Sequence, residues 1–137
     1  MSEITVRRFD MFEDYEDVKS WWLGHKWTPV EPEVLPKIGF ISQSEKEKLC
    51  AVWIYQSDAV ITWLEWLVSN PKADKEDRKQ AIDPVIKRAL WTAKDLGYTK
   101  VYTSVKHPLL NDRYKKLGFQ ETDSGVTQLI RNLELEI

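Results

Sequence analysis

One carboxylate interrupts the most aromatic stretch of the chain, Ile61-Thr62-Trp63-Leu64-Glu65-Trp66-Leu67. A glutamate among such neighbours lies either on the wet face of a strand or in a cleft where desolvation raises its pKa. In the second case Glu65 is a proton acceptor tuned to near-neutral pH, which is what a general base requires. His25 and His107 are the other candidate bases by residue type, and a solvated surface histidine is the plain alternative for both. Cys50 is the only cysteine, and with two histidines it shows no metal-ligand spacing. The chain has no Gly-x-Ser-x-Gly elbow, no P-loop and no glycine fingerprint of a dinucleotide fold. Those classes of chemistry are set aside.

Two further groups of residues bear on binding. Trp21, Trp22 and Trp27 flank a loop from His25 to Lys37 that carries Pro29, Pro32 and Pro36. Aromatic walls suit a base, an aromatic amine or a peptide side chain, although Trp22 is equally suited to a core. Trp63 and Glu65 share one strand face, and Trp66 is expected on the opposite one. The segment from Lys100 to Lys116 holds Lys100, Lys106, Arg113, Lys115 and Lys116 against Asp112 alone. It is either a solvated helix face or a surface that attracts phosphate groups, nucleic acid included.

The elements that must position these groups follow from periodicity. Ile4, Val6 and Phe9 mark a first strand. Asp10 with Glu13 forms a capping pair, and Phe12, Tyr15, Val18 and Trp22 line one face of the helix it opens. After the proline loop come three strands, Ile38 to Ile41, Leu49 to Tyr55 and Ala59 to Val68, joined by short polar turns as an antiparallel meander. A charged loop, Lys72 to Asp77, leads to a helix with Ile82, Val85, Ile86, Ala89, Leu90, Ala93 and Leu96 on one stripe and Gly97 as its stop. A strand at Lys100 to Val105, a short helix through Asn111 to Leu117 and a last strand at Thr127 to Leu133 complete the order. Strand, crossover helix and strand imply one parallel pair in a mixed, mostly antiparallel sheet flanked by helices, an α/β (α+β) fold in a single domain of 137 residues. A net charge of −2 exerts no general pull toward polyanions. No apolar run approaches the roughly 20 residues of a membrane span. With no signal-peptide blocks and a lone cysteine, a cytoplasmic location is expected.

Tyr114-Lys115-Lys116-Leu117-Gly118-Phe119 is similar to the Tyr-x-x-Leu-Gly-Phe ending common in the GNAT N-acetyltransferase superfamily. Leu67-Val68-Ser69-Asn70-Pro71 resembles the end of that superfamily's fourth strand, and the element order matches its layout. The chain also resembles small GNAT-like proteins of tailed phages. The resemblance implies acetyl transfer from acetyl-CoA to a primary amine of a small molecule or protein. It places Tyr114 as the donor of a proton to the leaving thiolate and Glu65 as the base. Leu67, Val68, Arg78, Lys79, Gln80, Ala81 and Asp83 fall where the cofactor is held, and Trp22, Trp27 and Trp63 where the acceptor lies.

The family's cofactor motif, Gln/Arg-x-x-Gly-x-Gly/Ala, offers bare amides and glycines at a helix start to a pyrophosphate. Here the matching segment is Arg78-Lys79-Gln80-Ala81-Ile82-Asp83. Arg78 fits, Ala81 is a mild change, and Asp83 replaces a small residue. Asp83-Pro84 also reads as an N-cap followed by proline at the first helical position, with the carboxylate occupying the amides that would hold phosphate. An ionised carboxylate ~4 Å from a phosphate charge costs roughly 1 kcal/mol in water and more in a shielded cleft. The alternative to an enzyme is therefore a binding protein on the same scaffold, engaging a macromolecular partner. A homodimer is the other association left open.

Overall fold

The strand at residues 48–55 is apolar at almost every position, which a strand covered on both faces requires. In the computed structural model, which describes residues 3–137, it is the central strand of a five-stranded sheet. Strands β1 (Thr5–Arg8), β2 (Ile38–Gln43), β3 (Lys48–Tyr55), β4 (Ile61–Ser69) and β5 (Lys100–Thr103) lie in chain order. The first three pairings are antiparallel and β4 pairs with β5 in parallel. This mixed sheet with its helices is the expected fold class. The chain divides into two compact units, Met1–Ser104 and Val105–Ile137.

Helix α1 (Met11–Gly24) packs Val18, Trp21 and Trp22 onto Ala51, Trp53 and Val68 of the sheet. Trp53 is fully buried, stacked on Trp22 at 5.8 Å and edge-on to Phe9 at 4.9 Å. Its cross-strand partner is Gly39, and only glycine fits there, because a Cβ would come within 2.3 Å of the Trp53 ring. Helix α2 (Lys75–Asp95) covers the other face with Ala81, Val85, Ile86, Ala89 and Ala93.

Asp14, fully buried, ties three elements together. It accepts two parallel bonds from Arg7 of β1 at 2.8 Å, and it pairs with Lys48 of β3 at 2.8 Å. Burial alone would raise its pKa, but the hydrogen bonds from Arg7 and Lys48 outweigh that and lower it to about 2.

The sequence expectations are corrected at four points. Asp10 caps α1 as expected, but its own amide donates to Asp14 at 2.8 Å rather than to Glu13. Phe12 is wholly exposed, and the buried stripe of α1 runs through Asp14, Val18, Trp21 and Trp22 instead. Helix α2 does not start at Asp83-Pro84. It starts at an Asp74 cap, and Pro84 lies inside the helix. The small and branched residues on its buried stripe continue on both sides of the proline, so tertiary packing overrides the local stop signal. Finally, residues 127–133 form no strand and are exposed. A few apolar residues without a paired neighbour do not make one.

The second unit contains helix α3 (Pro108–Lys116). Its cap is His107, whose Nδ1 accepts the Leu109 amide at 3.2 Å, and Gly118 follows it at φ +98°. Among the described residues no helix is long and apolar enough to cross a membrane.

Candidate functional site

The parallel ladder between β4 and β5 is short. It joins Ile61–Leu64 to Lys100–Thr103 and stops, while β4 continues to Ser69. At that same point β4 acquires an extra residue, since Ala51 faces Val68 but Trp53 faces Glu65. The bulge is centred on Trp66, a non-glycine residue at φ +66°. Such a conformation persists only where the surroundings hold it. Here the Trp66 Nε1 donates to the Tyr55 hydroxyl at 2.7 Å, and that hydroxyl donates to the Val34 carbonyl at 2.7 Å. Because Tyr55 faces Trp63 across the β3–β4 pair, the bulge brings Trp66 to the Trp63 side. The expectation that the two tryptophans take opposite faces fails for that reason.

Glu65 stands at the last position before the bulge. Trp53 faces it from β3, and Ser104 hydrogen-bonds its carboxylate from just beyond β5. Burial pushes the carboxyl up to about 7, with the Ser104 bond opposing the shift. The residue is half-buried, an exposure between the two readings of the sequence. Beside it Trp63 meets Tyr102 of β5 edge-on at 5.7 Å, and Trp63, Trp66 and Tyr102 are 39%, 39% and 43% exposed. Tyr55, Tyr102 and Ser104 were not singled out from sequence. Their period-2 placement in β3 and β5 was visible, but only the β4 register shows that they surround Glu65.

The cofactor segment is arranged differently from the motif. Arg78, Lys79, Gln80, Ala81 and Asp83 are interior positions of α2, where backbone amides serve the helix rather than a ligand. Ala81 is fully buried against the sheet. The true helix start has Asp74 accepting the Asp77 amide at 3.0 Å, and Glu47 accepts the Asp74 amide at 3.4 Å. A cavity there is lined by Glu45, Lys46, Glu47, Asp74, Glu76, Asp77 and Gln80. Its acids crowd the position where a phosphate would meet bare amides. The buried Arg78 Nε has no hydrogen-bond partner and is the one observation on α2 that favours an anion. One guanidinium edge does not replace a cradle of amides. The residues at the α2 start do not fit a coenzyme A pyrophosphate, and the obstacle is Asp74 with its neighbours rather than Asp83.

The remaining candidates are distributed as follows. Leu67 and Val68 follow the bulge, and the Val68 side chain belongs to the core, which leaves only its backbone for a ligand. Trp22 is buried against Trp53 and cannot line an acceptor pocket, a correction to the sequence expectation. Trp27 is half exposed and stacks on His25 at 4.6 Å. His25 Nε2 lies 2.9 Å from the Ser69 carbonyl, so that nitrogen is a donor and not a base. His107 is a helix cap. In the second unit Tyr114 is 3% exposed and meets Phe119 edge-on at 5.0 Å. Among the described residues no group of three or more His, Cys, Asp or Glu side chains is placed to hold a metal ion.

No family model matches the chain, and no curated sequence is similar to it. Solved structures do resemble it, and they define its fold as that of GNAT acetyltransferases. A GNAT-family acetyltransferase from Streptococcus pneumoniae matches with a TM-score of 0.67 at 14% identity, over 95% of this chain and 100% of that one. Glucosamine-6-phosphate N-acetyltransferase from Arabidopsis thaliana matches with a TM-score of 0.67 at 12% identity, over 94% and 99%. The aminoglycoside N-acetyltransferase AAC(6')-Iy, solved in complex with CoA, matches with a TM-score of 0.62 at 17% identity, over 96% and 97%.

Proposed function

We propose that the chain is an N-acyltransferase acting on a primary amine of a small molecule or protein, with Glu65 as the base that deprotonates the acceptor. The observation that supports it most is the placement of Glu65 where β4 and β5 part, half-buried, with its carboxyl raised to about 7. An alkylammonium ion cannot attack a carbonyl until it loses a proton. A carboxylate whose affinity for protons matches the working pH accepts that proton better than an ordinary glutamate. Beyond Leu64 the β5 side of β4 carries no strand partner, which leaves that edge open to the amide-bearing arm of a thioester donor. Because the α2 start does not fit a diphosphate, the reading expects acetyl-CoA to be held weakly.

The test is acetyl transfer from acetyl-CoA to a panel of primary amines, followed by thiol release, beside thermal stabilisation by acetyl-CoA alone. Turnover that falls at least 100-fold in Glu65→Gln, within the range of ~10²–10⁴ for a lost general base, is the expected result. A second reading draws on the acids around Asp74: a GNAT-fold protein that has given up the cofactor and binds a macromolecular partner. No turnover with any amine, together with no thermal shift at millimolar acetyl-CoA, would decide for it.

A further inference from the structure

Trp66 takes a φ of +66°, a conformation that glycine adopts freely and tryptophan rarely does. The backbone around it gives little help. Ala51 pairs with Val68 and Trp53 with Glu65, so Trp66 and Leu67 fall between register positions, and the ladder to β5 has already ended at Leu64. The hold on Trp66 comes through its side chain, in the bond from Nε1 to the Tyr55 hydroxyl at 2.7 Å. That hydroxyl donates in turn to the Val34 carbonyl, also at 2.7 Å. Two bonds through one hydroxyl polarise and strengthen each other.

The far end of this relay is fixed. In the turn that holds Val34, its amide donates to the Glu31 carbonyl at 2.9 Å and the Leu35 amide to the Pro32 carbonyl at 3.2 Å. Val30 and Leu35, on either side, are buried in the core with Val18 and Trp21 of α1. The Tyr15 hydroxyl of α1 also donates to the Val30 carbonyl at 2.8 Å. The near end is Glu65, the residue before Trp66. Trp63 and Glu65 share a strand face, and the bulge is what keeps Trp66 on it. Released, Trp66 returns to the strand alternation and opens the Glu65 side to solvent.

We infer that Tyr55 is a positioning residue for Glu65: its hydroxyl ties the bulge to the turn at residues 31–35, so the seating of the carboxylate depends on a loop outside the sheet. This rests on Glu65 being the working group of the proposed reaction. Tyr55 acts through Trp66 and not on a substrate. The arrangement accounts for a tryptophan at a position where glycine would be less strained. Glycine would hold the same φ without a partner, and the bulge would then be independent of the loop. Burial and the opposing Ser104 bond are the two influences on the Glu65 carboxyl, so solvent admitted by a loosened Trp66 moves its titration downward.

Carbon-13 NMR of glutamate-labelled protein reads the Glu65 carboxyl directly, its signal assigned by its loss in Glu65→Gln, and needs neither donor nor acceptor. Tyr55→Phe keeps the ring and removes the hydroxyl, and the Glu65 midpoint should fall by at least about half a pH unit. Trp66→Phe removes the other half of the bond and should give a similar fall, with no further fall when the two are combined. Trp66→Gly supplies the conformation without the bond, so adding Tyr55→Phe to it should move the midpoint by less than about 0.2 unit. Equal far-ultraviolet circular dichroism across the variants controls for folding. An unchanged midpoint in Tyr55→Phe overturns the inference. So does an equal fall in the Trp66→Gly background, which would mean that Tyr55 acts on Glu65 without Trp66. Where amine acylation is found, the acidic limb of kcat against pH should move with the midpoint. The expected titrations in a protein that acylates no amine would leave the positioning role standing and sink the acyltransferase reading. Acylation with titrations indifferent to Tyr55 would do the reverse.

Discussion

At the scale of single residues, Glu65, the base in the proposed reaction, carries a cost to stability. Its folded pKa of about 7 lies above the ordinary 4.5 because burial disfavours the charged form. The folded state therefore holds a proton that the unfolded chain releases between those values. The associated stability is fully present below pH 4.5 and is lost as pH rises through 7. Glu65→Gln has no proton to lose. It should match the parent protein near pH 4.5 and exceed it at pH 8 by on the order of 1–2 kcal/mol, after allowance for the solvent that reaches the group. Urea unfolding of both proteins at the two pH values reads this directly. Parallel pH dependences would mean that Glu65 is not perturbed. The position of this residue in an aromatic strand was legible in the sequence. Its partners were not, because they come from β3 and β5 and depend on a register that only pairing sets.

At the scale of elements, α2 shows how a local signal is overridden. Asp83-Pro84 has the chemistry of a helix start, and Asp74 also does, followed by Glu76 and Asp77 in the first turn. Local rules do not choose between them. The choice falls to the buried stripe, since Ala81 sits on it ahead of Pro84 and is fully buried only if the helix has already begun. Asp74→Ala should therefore cost about 1 kcal/mol, the usual loss of an N-cap. Asp83→Ala should cost within roughly 0.5 kcal/mol of nothing, as an exchange at a helix-interior position without a capping role. Chemical denaturation of the two variants distinguishes the two helix starts, and the reverse order would restore the one read from sequence. Aspartate and proline were visible. The extra helical turns before them were not, because those turns are polar on most sides and are held by packing.

At the scale of the molecule, the meander, the crossover helix and the parallel pair were all legible. They rest on patterns that survive folding, short apolar runs bounded by polar turns for the meander strands and a period of 3.6 for α2. The last expected strand, residues 127–133, has only scattered apolar residues and is not formed. Val126, Leu129, Ile130, Leu133, Leu135 and Ile137 are all strongly exposed. The difference is that a strand needs a neighbour, and sequence reports the pattern without the neighbour. Stability is consequently uneven along the chain. Amide hydrogen exchange should show β3 as the slowest region, with paired strands on both sides and helices over both faces. Residues 120–137 should exchange at close to the rate of an unfolded peptide. Protected amides between Thr127 and Leu133 would overturn this and show that the strand forms after all. If that protection weakened on dilution, its neighbour would be a second copy of the chain; if it did not, the neighbour would lie in the same copy.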